Sequence, residues 1–170
     1  MVNFATIYGQ GATALGQQLG LTRGEAKKMI DRYFELYAGV RTWLDQTVAA
    51  AHASGYVSTI LGRKRYIPEL SSNNFSDRAY GERIAANTPI QGSAADLCKL
   101  AMLEISRRFK AAAFEAKMVL QIHDELLFEA PNNEVTALTN IVRQCMEHPH
   151  PLDVPLKVDI GTGATWAEAL

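Results

Sequence analysis

Apolar residues recur at three- and four-residue steps through long stretches of the first 109 residues of this chain, and that period dictates much of its architecture. Ala26, Met29, Ile30, Tyr33, Phe34 and Tyr37 form one such stripe. Thr22 precedes it as an N-cap, with Glu25 three residues on as its capping-box partner. Gly39 is expected to punctuate this helix. Val40, Trp43, Leu44, Thr47, Val48 and Ala51 share the face of a second helix, which Gly55 ends. A long helix is expected from Asp77 to Phe109, with Ala94, Leu97, Ala101 and Ile105 on one stripe. Pro89 lies inside it, removes a backbone donor and predicts a kink or break.

Shorter β-prone runs interrupt and follow these helices. Tyr56–Ile60 and Tyr66–Pro68 flank a Gly-containing connector, which predicts a hairpin with Arg63, Lys64 and Arg65 at its tip. Lys117–Ile122 and Leu126–Glu129 read as strands, with His123, Asp124 and Glu125 between them. Asn133–Met146 reads as a helix that turns Val135, Leu138, Ile141, Val142 and Cys145 inward. Leu156–Ile160 alternates like a half-buried strand. The expected class is α+β, helical first and mixed afterwards, with a seam within residues 66–80.

The charge balance excludes a histone-like nucleic-acid binder. Seventeen Lys and Arg face eighteen Asp and Glu, a formal charge of −1. Local basic patches stay open. The two cysteines, Cys98 and Cys145, form no CxxC pair, which argues against a disulfide framework or a structural zinc site. That and the absence of an apolar run of about 18 residues predict a cytoplasmic protein without a membrane partner. Gly9-Gln10-Gly11 lacks the Lys-Ser/Thr of a phosphate loop, and Gly161-Thr162-Gly163 lacks the spacing of a dinucleotide fingerprint.

Four clusters carry chemistry. Asp124 and Glu125 lie at a strand-to-strand turn, where carboxylate oxygens are held rigidly enough for a hard divalent cation; spacing alone favours a solvated turn. Arg83, Asn87 and Gln91 recur every four residues and put hydrogen-bond donors on one helix face. Donors there suit the acceptors of a duplex minor groove, although the pattern also fits a polar solvent face. Phe4 and Tyr8, if helical, share a face that either packs on a sugar and a base or joins the core. Arg63-Lys64-Arg65 suits phosphates or simple solubility.

Taken in order, these segments resemble the C-terminal part of a family A DNA polymerase over essentially the whole chain. Asn3-Phe4-Ala5-Thr6-Ile7-Tyr8-Gly9 is similar to the second half of the family's fingers-helix motif. Gly55–Pro68 resembles the hairpin after the fingers, and Glu82–Asp96 the long palm helix. Gln121-Ile122-His123-Asp124-Glu125 resembles the third motif, in the palm. The resemblance implies fingers at residues 1–70 and palm at 71–170: a helical segment, then an antiparallel-sheet palm with a long helix, incomplete relative to the family.

It also implies roles. Phe4 packs on the incoming nucleotide's sugar, and a Phe there implies discrimination against chain-terminating sugars. Tyr8 takes the template side of the insertion site. Arg83, Asn87 and Gln91 hold primer–template DNA, His123 lies near the primer terminus, and Arg63, Lys64 and Arg65 meet phosphates. Asp124 is a catalytic metal ligand and Glu125 supports it, for two magnesium ions. Primer–template DNA and deoxynucleoside triphosphates are the implied partners.

The family's triphosphate-binding Arg and Lys, its first palm motif with another metal-binding Asp, its thumb and any exonuclease domain have no counterpart in these residues. The expectation is therefore a chain with no appreciable polymerase activity alone. Two hypotheses follow: a catalytic part completed by the N-terminal polymerase portion as a second chain, with a large apolar face to receive it, or a non-catalytic primer–template DNA-binding fragment or truncated product.

Overall fold

Capping chemistry and glycine turns set out the first helices. The computed structural model describes residues 11–169; Phe4 and Tyr8 lie outside the described residues. Helix α1 (Ala12–Leu19) ends on Gly20, and α2 (Arg23–Leu36) starts at the expected capping box. The Thr22 hydroxyl accepts from the Glu25 N–H at 3.3 Å, and the Thr22 N–H donates to Glu25 Oε2 at 2.8 Å. Those two bonds satisfy donors that a helix start otherwise leaves open. The Thr22 hydroxyl, which donates to Glu25 Oε2 at 2.7 Å, and then the Thr22 N–H hold the Glu25 carboxyl below its usual range. Leu15 and Ala26 pack the two helices together, with Ala12, Leu19 and Ile30 around them. The aromatic stripe of α2 is less buried than its period predicts: Tyr33 leans on the rings of Phe34 and Tyr37, and Tyr37 is exposed.

Helix α3 (Ala38–Ser54) contains Gly39, so the break falls at Tyr37 instead. Gly55 ends α3 at φ 76°, a conformation glycine adopts without steric cost. Strands β1 (Tyr56–Ser58) and β2 (Lys64–Tyr66) then pair antiparallel, with Ser58 opposite Lys64. A 3-10 turn at Pro68–Ser71 leads to α4 (Phe75–Ala111), which continues through Pro89 and is longer at both ends than expected. Ala51, Val57, Ile67, Leu70 and Ala85 form the core under this hairpin.

Strands β3 (Lys117–Ile122) and β4 (Glu125–Glu129) pair antiparallel, with a bulge between Met118 and Leu120. The Glu134 carboxylate accepts the backbone N–H groups of Glu115 and Ala116, both at 3.0 Å, and fixes the entry to β3. Helix α5 (Val135–Glu147) buries Leu138, Val142 and Cys145 against Ile105, Phe109 and Ala116. Phe109 stacks on Phe114 and meets Phe128 edge-on.

No strand forms at residues 156–160. Alternation marks a strand only where a neighbour supplies a ladder. Here the Val158 carbonyl accepts from Arg143 at 2.7 Å and the Val158 N–H donates to Glu147 at 3.1 Å, so side chains of α5 take both groups. A short helix α6 (Trp166–Ala169) closes the described chain. A side chain at Gly163 would meet Glu168 Cβ at 2.6 Å, a steric reason for glycine at this position. The class is α+β, helices with, among the described residues, two separate two-stranded sheets. The chain divides into two compact units, one up to Ser93 and one from Ala94.

Candidate nucleic-acid interface and carboxylate hairpin

The first unit holds the polar helix face and the basic hairpin. Arg83 is exposed, with its guanidinium 5.7 Å from the Tyr80 ring centroid. Asn87 is half-buried, and its Oδ1 is enclosed without a hydrogen-bond partner among the described residues, a state that native proteins rarely leave uncompensated. Gln91 is exposed. The four-residue spacing thus survives Pro89, because α4 is unbroken there.

The basic run differs from its expected form. Only Arg63 belongs to the turn, since Lys64 and Arg65 are in β2. Lys64 lies over the Tyr56 ring at 4.3 Å, and Arg65 donates to the Thr88 hydroxyl at 3.2 Å. Strand pairing draws these two cations toward partners in the chain, because the loop closes earlier than the charge pattern suggests. Its closure is a turn in which Gly62 N–H donates to the Thr59 carbonyl at 2.9 Å with Gly62 at φ 80°.

The second unit holds the carboxylates. Ile122 pairs with Glu125, which leaves His123 and Asp124 as a two-residue turn. His123 sits at φ 55°, in the left-handed region, at a cost of about 1–2 kcal/mol for a residue with a Cβ. The Gln121 amide donates to the His123 carbonyl at 3.0 Å and lies 3.6 Å from the Cys98 sulfur. Burial, and then the charge of Asp124, push the Cys98 thiol up, while Lys99 pulls it down. The turn therefore stands beside α4 at Cys98. Sequence reasoning did not single out Cys98 for this contact, and nothing in its spacing points to it.

Asp124 and Glu125 are both exposed. Their oxygens are the donors a hard cation takes, but a magnesium site wants near-octahedral coordination. Among the described residues no group of three or more His, Cys, Asp and Glu comes together that could hold a metal ion.

The sequence model of DNA polymerase family A matches residues 1–168, and the chain belongs to that family. DNA polymerase I of Bacillus subtilis (strain 168) is 49% identical over 168 residues, covering 99% of this chain and 19% of that protein. The thermostable DNA polymerase I of Thermus filiformis is 44% identical, covering 99% of this chain and 20% of that protein. The chain thus spans about a fifth of the length of these curated relatives. A solved structure, the POL domain of Pol1 from M. smegmatis in complex with DNA primer-template and dNTP, superposes with a TM-score of 0.95 at 45% identity. It covers 98% of this chain, which accounts for 30% of that one.

Proposed function

We propose that this chain serves template-directed DNA synthesis, the transfer of a deoxynucleotide to a primer 3′-hydroxyl, and that it supplies only part of the site. The observation that carries this reading is the likeness of 98% of this chain to 30% of a polymerase domain solved in complex with DNA primer-template and dNTP. In the reaction the 3′-hydroxyl oxygen attacks the α-phosphorus of the incoming deoxynucleoside triphosphate and pyrophosphate leaves.

Residues 1–70 act as the end of the fingers and 71–170 as the end of the palm. Arg83, Asn87 and Gln91 orient the primer–template duplex through donors aimed at minor-groove acceptors, which hold a duplex without reading its sequence. Arg63, Lys64 and Arg65 work at the duplex backbone, and His123 works by the primer end. Phe4 and Tyr8 serve the nucleotide. Asp124 and Glu125 contribute carboxylate oxygens toward magnesium, the ion that supplies charge stabilisation in such transfers. With no third ligand beside them among the described residues, any ion draws further donors from elsewhere. The 170 residues alone are therefore expected to be inactive. The N-terminal polymerase portion, as a second chain, is the partner that completes them, in a cytoplasmic setting.

A second reading is favoured by the same incomplete carboxylate set: a non-catalytic fragment that binds primer–template DNA. Primer extension separates the two. The chain mixed with the N-terminal portion of a family A polymerase domain should extend a primer, and the chain alone should not. Extension by neither, with retained binding of primer–template, would leave the non-catalytic reading.

A further inference from the structure

We propose that the β1–β2 hairpin is a splint for the proline-interrupted stretch of α4, with Thr59, Gly92 and Ser93 as positioning residues for the duplex-binding face. The proposal rests on the reading of Arg83, Asn87 and Gln91 as that face. Pro89 lies between Asn87 and Gln91. It has no N–H, so the Ala85 carbonyl loses its helical donor, and its ring crowds the preceding turn. Helices bend at such points, and a bend there would rotate Gln91 away from Asn87 and Arg83.

The hairpin grips this stretch on both sides of the proline. Before it, Arg65 donates to the Thr88 hydroxyl at 3.2 Å. After it, the Ser93 hydroxyl accepts the Ile60 N–H at 2.8 Å and donates to the Pro89 carbonyl. Ser93 thus joins the hairpin turn to the helix at the proline itself. Thr59 closes the turn from within: its N–H donates to the Arg63 carbonyl at 2.9 Å, and its hydroxyl accepts the Arg63 N–H at 3.1 Å. Its methyl group lies against Gly92, where an added Cβ would stand 2.7 Å from Thr59 Cγ2. Thr59 and Thr88 are buried, so the bonds that Arg63 and Arg65 make to their hydroxyls are partly shielded from water. Glycine at 92 lets the hairpin approach closely enough for the Ser93 bond to form. None of the three positioning residues has to touch DNA.

The test is the affinity of the full chain for a primer–template duplex, read by fluorescence anisotropy, with thermal melting as the control for folding. Gly92→Ala should weaken binding by about three- to tenfold, the worth of one or two misplaced hydrogen bonds. Adding Thr59→Ser removes the clashing methyl and keeps the hydroxyl, so the double variant should return to within about twofold of the parent. If Gly92→Ala fails to fold, Ser93→Ala, which removes the bond without adding bulk, decides the matter by the same loss. Parental affinity in Ser93→Ala or in a folded Gly92→Ala would overturn the splint. The triple variant Arg83→Ala/Asn87→Ala/Gln91→Ala guards the underlying reading. If it loses binding while the positioning variants do not, only the splint falls. If it binds like the parent, the duplex-binding face is wrong and the splint falls with it.

Discussion

The two hairpins of this molecule are built from the same antiparallel pairing and differ in what finishes them. The β1–β2 hairpin rests on Val57 and Ile67, which is 1% exposed; its turn is bonded to the helix beneath through Ser93, and its strand β2 through Thr88. The β3–β4 hairpin packs one set of side chains, Met118, Leu126 and Phe128, on its core, yet Val119 and Leu120 are each 44% exposed. Its turn carries a left-handed His123 and the exposed Asp124, with Glu125 exposed at the start of β4. A two-stranded sheet is marginal without a third strand or a covering layer. Each hairpin is covered on one face only, since Ile60 and Tyr66 of the first are exposed as are Val119 and Leu120 of the second; what differs is the turn, bonded to α4 through Ser93 in the first and flanked by exposed carboxylates in the second. The difference matches the division of labour proposed here: one hairpin steadies a binding face, and the other presents groups to a site that needs a partner.

Core substitution should give the largest stability contrast. Ile67→Ala should cost about 2–5 kcal/mol in denaturant unfolding, as for other fully buried aliphatics. Leu120→Ala should cost less than about 1 kcal/mol, because its side chain is already half in water. Equal costs at the two sites would mean that the β3 face is covered in solution, by a second copy or otherwise, and would break the comparison.

A smaller effect is expected at Glu104 on α4, one residue before the buried Ile105. Hydrogen bonds from Arg107 and Arg108 pull its carboxyl down to about 2 from the ordinary 4.5. A carboxyl depressed by folding stabilises above its unfolded value and loses that contribution as pH falls through the folded one. Glu104→Gln should therefore lower the melting temperature slightly at pH 7. The gap between variant and parent should close as pH falls from about 4.5 toward 2. A gap that persists unchanged at the acid end would contradict the ion-pair account.

The smallest effect is a local one at the carboxylate turn. Asp124→Asn removes the second of the causes that raise the Cys98 thiol and leaves burial, the first. Alkylation of Cys98 at fixed mildly alkaline pH should speed up modestly, because the thiolate fraction rises. An unchanged rate would place Asp124 farther from α4 than the hairpin geometry does.

Much of the fold was legible where local chemistry decides it. Lys117–Ile122 is a strand to the residue, the Thr22–Glu25 capping box forms as expected, and Gly55 ends its helix. The failures came where distant groups decide. Leu156–Ile160 alternates like a strand, but Arg143 and Glu147 occupy the backbone that a neighbouring strand would have paired. Gly39 lies inside α3 because the chain turns at Tyr37. The Arg63–Arg65 run looked like one tip, whereas strand register assigns Lys64 and Arg65 to other contacts. At the candidate site, Asp124 and Glu125 stood out by residue type. The hydroxyls of Thr59, Thr88 and Ser93 did not, because their partners are 4 to 33 residues away in sequence.

The central claim is that the turn at Asp124 and Glu125 serves a polymerase site that other polypeptide completes. Primer extension in magnesium buffer tests it most directly, with the chain added to the N-terminal portion of a family A polymerase domain. Synthesis should appear with the parent chain, be absent from either component alone, and vanish with Asp124→Ala in a variant that melts like the parent. Extension at the parental rate by the Asp124→Ala mixture would contradict the account.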